Sequence, residues 1–160
     1  MNNDLRLAFA SQPRTQPSTS LEITRILPAS RGRVWRAWTD PAILRDWMGP
    51  DGITHCDTLE MDLRAGGAFR LRMHDREGGT HTVHGTYLAV DEPEYLSFTW
   101  AWEGDPSEPS HVSVRIALSE RGTRMTLTHI NLAGGGARDR HLHGWTGSFE
   151  RMDRALACAA

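Results

Sequence analysis

The chain contains no lysine; all 18 of its basic residues are arginine. Schiff-base catalysis, a pyridoxal-phosphate anchor and a Walker-type phosphate loop each require a lysine amine, so none of them is open to it. Charge of either sign is not in excess, since 20 acidic residues leave a formal net charge of −2. Without a basic surplus there is no long-range attraction to polyanions, which argues against nucleic acid and anionic membrane surfaces as partners. Cysteine is scarce. Cys56 and Cys158 stand far apart and form no C-x-x-C pair, so reduced thiols are expected rather than a disulfide framework. Long apolar runs are also missing: nothing approaches the roughly eighteen residues that span a bilayer, and the stretch from Leu5 to Ala10 is short and broken by Arg6. These absences lead to the expectation of a cytoplasmic protein without a membrane segment.

What is present suits one domain with its own core, at 160 residues and 39% hydrophobic. Residues 1–19 hold Pro13, Pro17 and a Ser/Thr/Gln cluster without periodicity, the composition of a disordered N-terminal tail, so the domain is expected over 20–160. Leu21, Ile23 and, after an exchange of parity, Ile26 and Leu27 read as a strand ending at Pro28. Ser30 is a good N-cap for a short helix over Arg31 to Trp38, and Asp40-Pro41 starts a second that runs to about Trp47. From there to Leu132 the period is two, with turn clusters every ten to fifteen residues, and six strands fit. Their apolar faces are predicted as Leu59, Met61 and Leu63; Phe69, Leu71 and Met73; Val83 to Val90, with Gly85 as a bulge; Leu96, Phe98, Trp100 and Trp102; Val112, Val114, Ile116 and Leu118; and Met125, Leu127 and His129. After Gly134-Gly135-Gly136 the period becomes helical, with Leu142, Trp145, Phe149, Met152 and Leu156 in one stripe.

This order predicts an α+β fold: a seven-stranded curved antiparallel sheet around a long C-terminal helix, with two short helices after the first strand. Such a curl leaves a hollow. Gly144 and Gly147 each cost about 1 kcal/mol in a helix interior, so they signal close packing or a need for space beside Trp145.

The segments Arg33-Val-Trp-Arg-Ala-Trp-Thr-Asp-Pro41, Trp47-Met-Gly-Pro50, Asp62-Leu-Arg-Ala-Gly-Gly67, Leu96-Ser-Phe-Thr-Trp100, Gly122-Thr-Arg-Met-Thr-Leu-Thr-His129 and Gly144-Trp145 stand in this order along the chain. Together they resemble the activator of 90-kDa heat shock protein ATPase homologue-like family of the START-like, helix-grip (SRPBCC) superfamily, over residues 20 to 157. The resemblance implies a cavity between the sheet and the last helix that admits an apolar or amphipathic small molecule.

The expected ligand-binding residues are Trp47, Phe69, Met73, Phe98, Trp100, Trp102, His129, Trp145 and Phe149, with the tryptophans as walls and His129 as a polar contact. His129 shares the parity of Met125 and Leu127, so its imidazole should face inward, either as a satisfied core histidine or as a ligand partner. A cyclase- or dehydratase-type enzyme would use the same pocket with His129 and Tyr87 as proton-transfer groups. A third reading is a module that docks a chaperone or other partner through an outer surface such as the stripe of Arg70 and Arg72. A homodimer through a free sheet edge also stays open. No cofactor is expected, and no metal. His81 and His84 point to opposite faces of a strand, His141 and His143 diverge by about 200° on a helix, and His55-Cys56-Asp57 has no C-x-x-C or H-E-x-x-H beside it. No G-x-S-x-G elbow is present for nucleophilic catalysis.

Overall fold

Alternation along the first strand fixes which side of the sheet is inside. In the computed structural model, which describes residues 19–158, β1 (Leu21–Leu27) buries Leu21 and Leu27 and exposes Glu22, Thr24 and Ile26. The exchange of parity expected at Ile26 does not occur. Ile26 is 44% exposed and Arg25 takes the inward, half-buried register instead. The tail expected over residues 1–19 lies, but for residue 19, outside the described residues.

Two short helices follow for the local reasons their caps supply. α1 (Arg31–Thr39) starts where the Ser30 hydroxyl accepts from the Arg33 amide, and it buries Val34, Trp35, Ala37 and Trp38. Asp40 ends it and opens α2 (Pro41–Trp47), its carboxylate accepting the Ala42 amide at 3.0 Å while Pro41 fills a first-turn position that needs no donor.

Six strands complete the sheet: β2 (Ile53–Met61), β3 (Ala68–Asp75), β4 (Thr80–Asp91), β5 (Tyr95–Trp102), β6 (Ser110–Ser119) and β7 (Gly122–Ile130). Every pairing is antiparallel and the order across the sheet is β1-β7-β6-β5-β4-β3-β2. The curled sheet holds α3 (Ala137–Cys158), whose Trp145, Ser148, Phe149, Met152 and Leu156 are buried against it. This is the expected helix-grip architecture. Burying Phe149 and Met152 fully contributes on the order of 1.5–3 kcal/mol each, which is why the stripe and not helix propensity decides where α3 lies. Arg33 of α1 reaches the C-terminal end of α3 and donates to the Leu156 carbonyl at 2.5 Å.

The inward faces differ from expectation where a ladder shifts or overhangs. In β2 Cys56 is buried opposite Met73, and the register shift between Thr58 and Glu60 leaves Leu59 42% exposed while Met61 packs on the core opposite Phe69; Leu63, 36% exposed, lies past the end of the strand. Leu118 is 72% exposed because the β6–β7 hairpin extends past the end of the core. Gly85 is not a bulge. It pairs in register with Phe69, whose ring lies where a Cβ at Gly85 would stand, and the irregularity comes later, between Tyr87 and Ala89. No helix among the described residues is long and apolar enough to cross a membrane.

Candidate functional site

Helix α3 is gripped unevenly. Toward its C-terminal half, α1 and α2 close over the sheet and fill the interior with rings packed edge-on and tilted: Trp38 lies 4.8 Å from Trp47, 5.9 Å from Trp145 and 6.2 Å from Phe149 between ring centroids. Toward its N-terminal half nothing equivalent arrives. A cavity of about 450 Å³ remains there, between α3 on one side and β3 to β6 on the other. That volume falls within the range of about 300–1,000 Å³ of small-molecule sites.

Its wall is built by consecutive turns and alternate strand positions. α3 presents Ala137, His141, Gly144, Trp145 and Ser148; the sheet presents Ile53, Met73, Trp100 and Trp102; the segment between α2 and β2 adds Met48 and Pro50, and Leu132 closes the far side. Polar groups gather at the rim, where Asp105, Glu108, Asn131 and Arg140 sit on loops and on the first turn of α3. The rim therefore carries both signs of charge. Hydrogen bonds from the Ser107 amide and then its side chain hold the Asp105 carboxyl below its ordinary value. Gly144 contributes by what it lacks, since a Cβ there would meet nothing within 4 Å.

Of the nine residues expected to bind a ligand, Met73, Trp100, Trp102 and Trp145 border this cavity. Five do not. Trp47 and Phe149 belong to the ring cluster under α1 and α2, and the Trp47 indole donates to the Ala37 carbonyl at 2.8 Å. Phe69 and Phe98 surround a separate void of about 20 Å³ together with Tyr87, room for little more than one water.

His129 is inward, as its parity required, but it is fully committed. Trp145 Nε1–H donates to its Nδ1 at 3.0 Å, so its proton is on Nε2 and is given to Ser110 Oγ at 2.7 Å; that hydroxyl in turn donates to the Trp100 carbonyl at 3.2 Å. Burial, then the neighbouring His141 and His111, push its pKa down to about 3. A neutral ring with both nitrogens occupied and no exposed surface is a strut between β7, β6 and α3, not a ligand contact or general base.

Two imidazoles border the cavity: exposed His81, paired with Asp75, and half-buried His141. The His141 Nδ1–H donates to the Ala137 carbonyl at 2.7 Å and its Nε2 accepts from Trp102 Nε1–H at 3.0 Å, so it too is neutral, with burial lowering its pKa. Sequence reasoning considered His141 only as a metal ligand beside His143 and missed it here; its i,i+4 relation to Trp145 places it on the same helical face. Tyr87 lies beside Phe69 and Phe98 and away from this wall, and burial raises its pKa. The stripe of Arg70 and Arg72 is not a free basic surface: Arg70 is ion-paired with Glu103, and half-buried Arg72 reaches Thr82.

Known proteins share this architecture. A protein of Chromobacterium violaceum is 25% identical over 86% of this chain and 96% of its own, with a TM-score of 0.77. The AHSA1 protein of Silicibacter pomeroyi is 26% identical over 88% of this chain and 99% of its own, at 0.76, and one from Nitrosomonas europaea is 26% identical over 89% and 96%, at 0.73. No curated protein matches the sequence. The model of the family described as Activator of Hsp90 ATPase homolog 1-like protein matches residues 28–157, and the chain belongs to that family.

Proposed function

We propose that this protein binds one apolar or amphipathic small molecule in the cavity between the N-terminal half of α3 and strands β3 to β6. The supporting observation is the contrast between the two halves of the interior: one is filled by tryptophan and phenylalanine, and the other leaves about 450 Å³ walled by Trp100, Trp102, Trp145, Met48, Met73 and Ile53. Water gains few hydrogen bonds from such walls, so an apolar guest is favoured over it. The mixed rim suits a ligand with a polar end. The enzyme reading loses its two proton-transfer groups, because His129 is locked into the wall's support and Tyr87 faces a different void.

The test is a titration of the purified chain with 8-anilinonaphthalene-1-sulfonate, read by dye emission and by tryptophan quenching, beside native mass spectrometry for a retained small molecule. One saturable site is expected, lost in Gly144→Leu, whose side chain would enter the cavity. Equal dye binding by wild type and this variant would overturn the proposal.

A further inference from the structure

We propose that the outer face of the β2–β3 ladder carries a zinc-class divalent metal site, formed by Nε2 of His55, Nε2 of His74 and Oδ2 of Asp57. Along the sequence alone, His55 and Asp57 are two donors on one strand. Pairing brings in a third. His55 and His74 are register partners across the ladder, and their rings lie parallel, 4.3 Å apart at 11°. Asp57 follows His55 by two residues and so shares its face, while Cys56 between them is buried on the other.

The spacing suits coordination. Asp57 Oδ2 lies 3.0 Å from His74 Nε2 and 3.8 Å from His55 Nε2, and a donor atom from each residue falls within 4.8 Å of the others. Tetrahedral zinc with bonds of about 2.0–2.1 Å places neighbouring donors roughly 3.3–3.4 Å apart, so small side-chain rotations suffice. Two imidazoles and a carboxylate are a donor set that zinc accepts, and half exposure leaves the fourth position to water.

Two neighbours prepare the donors. The Thr54 hydroxyl spends its one proton on the His74 carbonyl at 3.1 Å, so toward His55 Nδ1, 2.9 Å away, it can only accept. That puts the proton of neutral His55 on Nδ1 and leaves the Nε2 lone pair facing a carboxylate, an arrangement that asks for a cation between them. Arg45 Nη1 takes the other carboxylate oxygen, Oδ1, at 2.5 Å, which keeps Oδ2 turned to the imidazoles. The guanidinium also offsets part of the charge that would draw a cation, so the affinity expected is moderate.

The experiment uses the full chain stripped with EDTA and titrated with Zn²⁺ against a fluorescent chelator, with Co²⁺ as an absorption probe of geometry. Wild type should take one equivalent and show a tetrahedral cobalt spectrum. His55→Ala, His74→Ala and Asp57→Asn should each weaken zinc by about tenfold or more, since even residues that only orient a ligand cost 10–100-fold. His143→Ala, at an exposed position on α3, should not. The ligand positions are half exposed, so equal unfolding midpoints in metal-free buffer will show that the variants are folded, and Zn²⁺ should raise the midpoints of wild type and His143→Ala but not those of the three ligand variants. No zinc binding by wild type, or binding unchanged in the two histidine variants, would overturn the site.

Discussion

The indole N–H of Trp145 donates to Nδ1 of His129 over 3.0 Å, and this bond joins the middle of α3 to the end of β7. Both residues are buried, so neither group can turn to water when the other is removed. Trp145→Phe keeps most of the ring but leaves the His129 acceptor alone, and should cost about 1–3 kcal/mol. His129→Ala strands both the Trp145 donor and Ser110 and adds a cavity, so it should cost more. Urea unfolding of the two variants and the double variant measures this; coupling near zero would mean that the bond contributes nothing.

The same histidine makes stability pH-dependent. Its folded pKa of about 3 lies below the ordinary 6.5, so between those values the unfolded chain binds a proton that the native state refuses. Stability is therefore complete above about pH 6.5 and falls as pH drops toward 3, at up to about 1.4 kcal/mol per unit for one proton. His141 is shifted in the same direction and adds to the loss. Denaturation midpoints measured from neutral to acid pH should decline, and His129→Gln should flatten the decline. An unchanged slope in that variant would show that other groups carry it.

How much of this was legible in the sequence depends on the length over which a pattern runs. The parity of Met125, Leu127 and His129 survives because β7 pairs without a break on both sides. Leu59 points outward because the register shifts between Thr58 and Glu60, and no residue there announces it; Met61 beyond the shift packs on the core, and Leu63 is exposed because the strand has ended. The aromatic residues were rightly placed inside, yet the same ring serves as filler or wall according to how far α1 and α2 reach over α3. Trp47 and Trp102 differ in that respect and not in type. The best cue to the hollow was Gly144, a residue costly in a helix and explained by the space beside it.

The two thiols should separate cleanly. Cys56 is buried, and burial followed by the charge of Asp57 pushes its thiol up to about 12, so almost no thiolate forms at neutral pH. Cys158 is exposed at the end of α3. An aromatic disulfide reagent should label one thiol per native chain at once and the second only at the rate of opening, or immediately in denaturant. Rapid labelling of both in native protein would contradict the burial of β2 against the core.

Gly144 and Gly147 lie one turn apart on α3 and should respond oppositely to the same methyl group. Alanine raises helix propensity at either site by up to about 1 kcal/mol. At Gly144 the added Cβ meets nothing within 4 Å, so Gly144→Ala should keep that gain. At Gly147 it would stand 3.2 Å from Pro50 Cα and 3.3 Å from Pro50 Cβ, against the segment that Ser148 already ties down through the Gly49 amide, so the gain should be cancelled or reversed. Larger residues at 144 sharpen the contrast. Leucine or phenylalanine there would enter the cavity and bury apolar surface, raising the unfolding midpoint while dye affinity falls. If the hollow were only a packing fault, filling it would stabilise the fold at no cost in binding; opposite movement of the two quantities identifies it as space kept open for a guest.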